Sequence, residues 1–133
     1  MPKSSQVSLI SRWFVRPDCW DRALEALKAA AAEVLAKEPG TLTYRVHIGS
    51  PDGALQPLPP QDRFSILFFE VYRDARAFAD HLGGPTFTAF VRDHGALFVP
   101  AADGKPYTTV DFLALHAGFT RQDDAAVLKA GRR

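Results

Sequence analysis

Residues 64–72 read FSILFFEVY. Apolar side chains fall on both parities of this run. A β-strand of that composition is covered on both faces, one by a helix layer and the other by further protein. Upstream lies GSPDGALQPLPPQD, residues 49–62, whose proline and glycine content reads as a long loop. Before it, TLTYRVHI (41–48) alternates with period two, Leu42, Tyr44, Val46 and Ile48 against Thr43, Arg45 and His47, as a half-buried strand does.

Downstream, Asp74 caps a helix with Ala75, Phe78, Ala79 and Leu82 on its stripe. Gly83-Gly84 ends it, with a left-handed glycine cap expected, and Pro85 suits the first position of a new helix. There Phe87, Phe90, Val91, His94 and Phe98 hold helical spacing. At the N-terminal side, VSLISRWFV (7–15) is a strand, with Leu9, Ser11, Trp13 and Val15 on one face. Asp18 is the expected N-cap of a helix whose stripe is Trp20, Leu24, Leu27, Ala31, Val34 and Leu35, stopped by Pro39-Gly40. YTTVDFLAL (107–115) is the last strand, and a weak helical pattern follows at Asp123–Ala130.

The order β-α-β-β-α-β, with the second helix split, gives an α+β, ferredoxin-like antiparallel sheet with its helices on one face. Phe14, Leu67, Phe69, Val71, Val110 and Phe112 are expected on the uncovered face, so a homodimer packed sheet to sheet is expected. The 133 residues make a single domain, with a core at about 7–115 and a tail at 116–133.

Composition narrows the function. An apolar fraction of 47%, a charged fraction of 23% and a net charge of +1 disfavour nucleic acid as a partner, and no run of sequence suits a membrane span or signal peptide. The single cysteine, Cys19, excludes an intramolecular disulfide and fits a reducing compartment, so a cytoplasmic location is expected. No metal-ligand spacing and no phosphate-binding glycine loop is present.

Three short motifs, in order, resemble those of the antibiotic biosynthesis monooxygenase superfamily. Glu38-Pro39-Gly40-Thr41-Leu42-Thr43-Tyr44 resembles the start of its second strand. Phe69-Glu70-Val71-Tyr72 resembles the end of its third strand, and His81-Leu82-Gly83-Gly84-Pro85-Thr86-Phe87 its helix break. The resemblance implies a dimeric α+β barrel. It also implies, without a cofactor or metal, monooxygenation of an aromatic or quinol-type molecule bound between sheet and helices. The alternative is a dimer of the same fold that binds a small hydrophobic or aromatic ligand without catalysis. Where tailoring monooxygenases carry Trp and Asn in the third strand, this chain has Tyr72 and Phe68; where haem degraders carry Asn, Trp and His it has Ser11, His81 and Val91, which argues against haem degradation.

The candidate catalytic residues are His94 or His81 as base and Tyr72 as donor to an oxyanion; Tyr44 is a second donor. Trp13, Tyr44, Phe68 and Phe90 are the candidates for holding a flat substrate. Each has a plainer reading: a satisfied buried histidine for His94, a helix-end cation for His81, core or strand packing for the aromatics. Glu70 interrupts an apolar strand and so needs a partner, for which Arg45 and Arg12 are candidates.

Overall fold

The computed structural model describes residues 5–121. Its elements run β1 (Val7–Phe14), a 3-10 turn (Pro17–Cys19), α1 (Trp20–Lys37), β2 (Thr41–His47), β3 (Ser65–Tyr72), α2 (Ala75–Gly83), α3 (Pro85–His94), a second 3-10 turn (Gly95–Leu97) and β4 (Thr108–Leu113). The four strands form one sheet in the order β2-β3-β1-β4, with every neighbour antiparallel. This is the ferredoxin-like arrangement expected from the element order, with all helices on one face.

The two-sided apolar run takes the central strand β3. Ile66, Phe68, Glu70 and Tyr72 point under the helices and are buried, while Leu67, Phe69 and Val71 lie half-buried on the other face. From β1, Leu9, Ser11 and Trp13 join the helix side. Trp13 is the hub of the core. Its ring meets Phe68, Phe87, Phe90 and Phe98 at centroid separations of 5.7, 6.2, 6.2 and 5.1 Å. Burying each such side chain is worth roughly 1.5–3 kcal/mol, and each aromatic pair adds about 0.5–1.5. α1 closes this core with Ala23, Leu27 and Val34.

The opposite face carries Phe14, Leu67, Phe69 and Val71 of the expected apolar patch, joined by Ile10, but β4 departs from it. Ser11 pairs with Val110 and Leu9 with Phe112, so both β4 residues share the helix face; Leu113, opposite Ser8, takes their place outside. Phe112 packs edge-on against Phe78 of α2, centroids 5.6 Å apart.

Other boundaries also shift. β4 is shorter than the run 107–115. α1 starts at Trp20 with no side-chain cap; Asp18 lies in the preceding 3-10 turn, where its carboxylate accepts from the Cys19 thiol at 3.7 Å. Leu35 is 87% exposed: the stripe continues through Val34, and Leu35 sits about 100° round the helix. Asp74 caps α2 as expected, accepting from the Ala77 N–H at 2.8 Å. Gly84 is extended, φ −82°, not left-handed. Its glycine has a different cause: a Cβ there would stand 2.6 Å from the Asp80 carbonyl oxygen. Residues 49–62 contain no helix or strand. The helical pattern at 123–130 lies outside the described residues. Among the described residues no helix is long and apolar enough to cross a membrane.

Candidate active site

The break between α2 and α3 brings His81, in the last turn of α2, down onto the sheet, where it is 4% exposed. Its ring is boxed by Tyr44, Tyr72 and Phe87, at centroid separations of 5.7, 5.4 and 5.4 Å. Nδ1 lies 2.7 Å from Oε1 of Glu38, the residue that caps the C-terminus of α1. The same oxygen accepts from the Thr41 hydroxyl at 3.0 Å.

The turn 38–41 is built to hold this pair. A Cβ on Gly40 would come within 2.7 Å of the Ala77 Cβ, so glycine lets α2 press directly on the turn. The Arg73 guanidinium donates to the Pro39 carbonyl at 3.0 Å, and the Arg73 N–H to the Gly40 carbonyl at 2.8 Å. Glu-Pro-Gly-Thr is therefore a clamp: Thr41 orients Glu38, Gly40 admits α2, and α2 delivers His81.

A carboxylate acceptor at Nδ1 places the neutral ring's proton there and leaves the Nε2 lone pair free. Among the described residues Nε2 makes no protein hydrogen bond, and His81 lines a cavity. That cavity, about 100 Å³, lies between sheet and helices and is lined by Leu9, Ser11, Trp13, Tyr44, Phe68, Glu70, Phe78, His81, Leu82, Phe87, Thr108 and Val110. Leu82 and Val110, 48% and 46% exposed, stand at its mouth. Mostly apolar walls with a few convergent polar groups are the usual make-up of a small-molecule site.

Glu70 lies on this wall, 7% exposed, and accepts from the Tyr72 hydroxyl at 2.6 Å. Arg45 and Arg12, the partners expected from sequence, are opposite Phe69 and Leu67 on the other face of the sheet. Burial pushes the Glu70 carboxyl above its ordinary range; the Tyr72 hydrogen bond and His81 pull it partly back, and Glu38 raises it again. Burial, then the Glu70 charge, drives the Tyr44 and Tyr72 hydroxyls upward, so both remain neutral donors at ordinary pH.

The sequence candidates thus divide. His81, Tyr44, Trp13 and Phe68 share the cavity. Tyr72 is fully buried and reaches the cavity only through Glu70. Phe90 packs on Trp13 and on a void of about 20 Å³ next to the cavity. His94 lies elsewhere: half-buried, its ring 5.2 Å from that of Phe90, it borders a surface groove between α1 and α3 with Glu33, Lys37 and Asp93. That groove and a second depression outside Glu38 are larger, about 330 and 320 Å³, but the buried titratable groups converge on the smaller cavity. The pairing of Glu38 with His81 is not among the expectations from sequence. Its signal was there, a carboxylate in the Glu-Pro-Gly turn, but only the fold shows that α2 ends against that turn. Among the described residues no group of three or more His, Cys, Asp or Glu gathers as a metal site.

Residues 7–93 match the family model described as antibiotic biosynthesis monooxygenase. No curated protein matches the chain. Among solved structures, Rv0793 from Mycobacterium tuberculosis is 24% identical with a TM-score of 0.63, over 87% of this chain and 100% of that one. PA3566 from Pseudomonas aeruginosa is 22% identical with a TM-score of 0.66, over 88% and 100%. An antibiotic biosynthesis monooxygenase structure is 19% identical with a TM-score of 0.64, over 84% and 99%. These likenesses carry the fold, and the family match covers well over half of the chain: the protein belongs to the antibiotic biosynthesis monooxygenase family.

Proposed function

We propose that the protein is a cofactor-independent monooxygenase of a small phenol- or quinol-type molecule, with His81 as the general base and Glu38 as the residue that positions it. The observation that supports this reading is the 2.7 Å contact between Nδ1 of a buried His81 and Glu38, with His81 on the wall of the cavity. His94, in its own groove, is not part of the reaction.

The chemistry is as follows. Nε2 takes a proton from a substrate hydroxyl, and Glu38 offsets the positive charge on the ring. The resulting phenolate passes an electron to dioxygen; the two radicals combine into a carbon–oxygen bond, giving a hydroperoxide after protonation. Loss of the adjacent C–H proton and cleavage of the O–O bond leave a carbonyl on the ring and release water, whose proton His81 returns. One oxygen atom enters the product, the other leaves as water, and all the electrons come from the substrate. Trp13 and Phe68 flank the ring, and Tyr44 donates to the oxyanion.

The functional unit we propose is a homodimer joined through the outer face of the sheet, where Ile10, Phe14, Leu67, Phe69 and Val71 form an apolar surface. Oxygen uptake with a panel of catechols and hydroquinones tests the activity. Substrate-dependent uptake by metal-free protein supports it. Binding of the panel with no uptake would favour the ligand-binding alternative, which the small cavity volume also suits.

A further inference from the structure

Glu70 lines the same cavity, and the reaction proposed above leaves it unused. Its surroundings are specific. Across the sheet it is opposite Tyr44 of β2 and Leu9 of β1. Tyr72 occupies Oε1, His81 approaches from α2, and Glu38 lies behind His81 at the end of α1. None of these is a lysine or arginine. Nδ1 of His81 is held by Glu38, so that ring is already engaged by a carboxylate other than Glu70. Among the described residues, an ionised Glu70 would thus be buried with one side-chain hydrogen bond and a second carboxylate nearby, and His81, itself held by Glu38, would offset its charge only in part. Buried charge in that position is relieved by taking up a proton.

We propose that Glu70 is an uncharged carboxylic acid at neutral pH, and that the oxygen not engaged by Tyr72 donates its O–H to the molecule in the cavity. Only the identity of that molecule rests on the monooxygenase reading. The wall then presents two unlike groups, an acceptor at His81 Nε2 and a donor at Glu70. A ligand that satisfies both carries two oxygens on one ring, one surrendering a proton and the other receiving a hydrogen bond. The upward displacement of the Glu70 carboxyl by burial agrees with this. The sign for stability follows: with a folded pKa above the unfolded one, the contribution of Glu70 is complete below the ordinary carboxylate range and is lost as pH rises through the folded value.

Glu70→Gln, an isostere of the neutral acid, tests the charge. The infrared difference spectrum of unmodified protein minus E70Q at neutral pH should contain a protonated carboxyl stretch. E70Q should fold, and its melting temperature should rise relative to the unmodified protein as pH goes from acid to neutral. Absence of the band, a relative loss of stability with rising pH, or failure of E70Q to fold overturns the proposal. Calorimetric titration with catechol under anaerobic conditions tests the donor: E70Q should bind within about 3-fold of the unmodified protein, and E70L at least roughly 10-fold more weakly. Equal binding by E70L overturns the donor role. No catechol binding by any form overturns both the donor role and the catechol-type ligand, while the infrared band still decides the charge, so the two failures are distinguishable.

Discussion

Glu38 and His81 are 43 positions apart in sequence and 2.7 Å apart in the fold. Their roles are unequal: the imidazole meets the substrate, and the carboxylate selects which ring nitrogen carries the proton. Glu38→Gln removes the negative charge and allows the amide N–H₂ to face Nδ1, which would shift the ring proton to Nε2 and block the base. We expect E38Q to keep its fold, to lower kcat by roughly 10²-fold or more and to leave KM nearly unchanged, as steady-state kinetics would show. His94→Leu is the contrasting substitution. His94 does not line the cavity, so turnover and ligand affinity should stay within about 2-fold of the original. A large loss of rate in H94L would return the base to α3. Sequence periodicity favoured His94 because it lies on an apolar stripe. Periodicity reports which side of a helix is inward; it does not report how far along the helix the sheet still faces it. His94 is in the last turn, beyond the cavity.

At the scale of elements, the site depends on how closely α2 meets the turn after α1. Gly40 sets that distance, since a methyl group there would overlap Ala77 of α2. Gly40→Ala should lower stability by about 1–3 kcal/mol in denaturant unfolding and, by pushing α2 away, should reduce activity more than its stability loss alone would. If G40A were as stable as the original, the clamp reading of the Glu-Pro-Gly turn would be wrong. The elements themselves were legible: strand alternation, the Asp74 cap and the Gly-Pro break are local signals, and each was found where expected. The misread details depend on distant partners. Alternation alone does not fix the face of Val110 and Phe112, because the parity of an edge strand depends on its pairing register with β1, which its own residues do not encode. At Gly84 the approach of the Asp80 carbonyl, not backbone freedom, is what excludes a side chain.

For the whole molecule, the outer face of the sheet and the inner cavity are two consequences of β3. Its even-numbered residues carry Phe68, Glu70 and Tyr72 to the site, and its odd-numbered ones carry Leu67, Phe69 and Val71 to the proposed dimer interface. Phe69→Arg should yield monomer or precipitate in light scattering, whereas the unmodified chain should be a dimer at micromolar concentration; a monodisperse monomer of the unmodified chain would remove the dimer from the account. The most direct test of the central claim, that a carboxylate-held His81 at this cavity initiates oxygenation, is oxygen uptake by unmodified protein and by His81→Asn across the same catechols and hydroquinones. The account requires substrate-dependent uptake by the unmodified protein and a fall of at least roughly 10²-fold in a folded H81N. Uptake by H81N equal to that of the unmodified protein would contradict it.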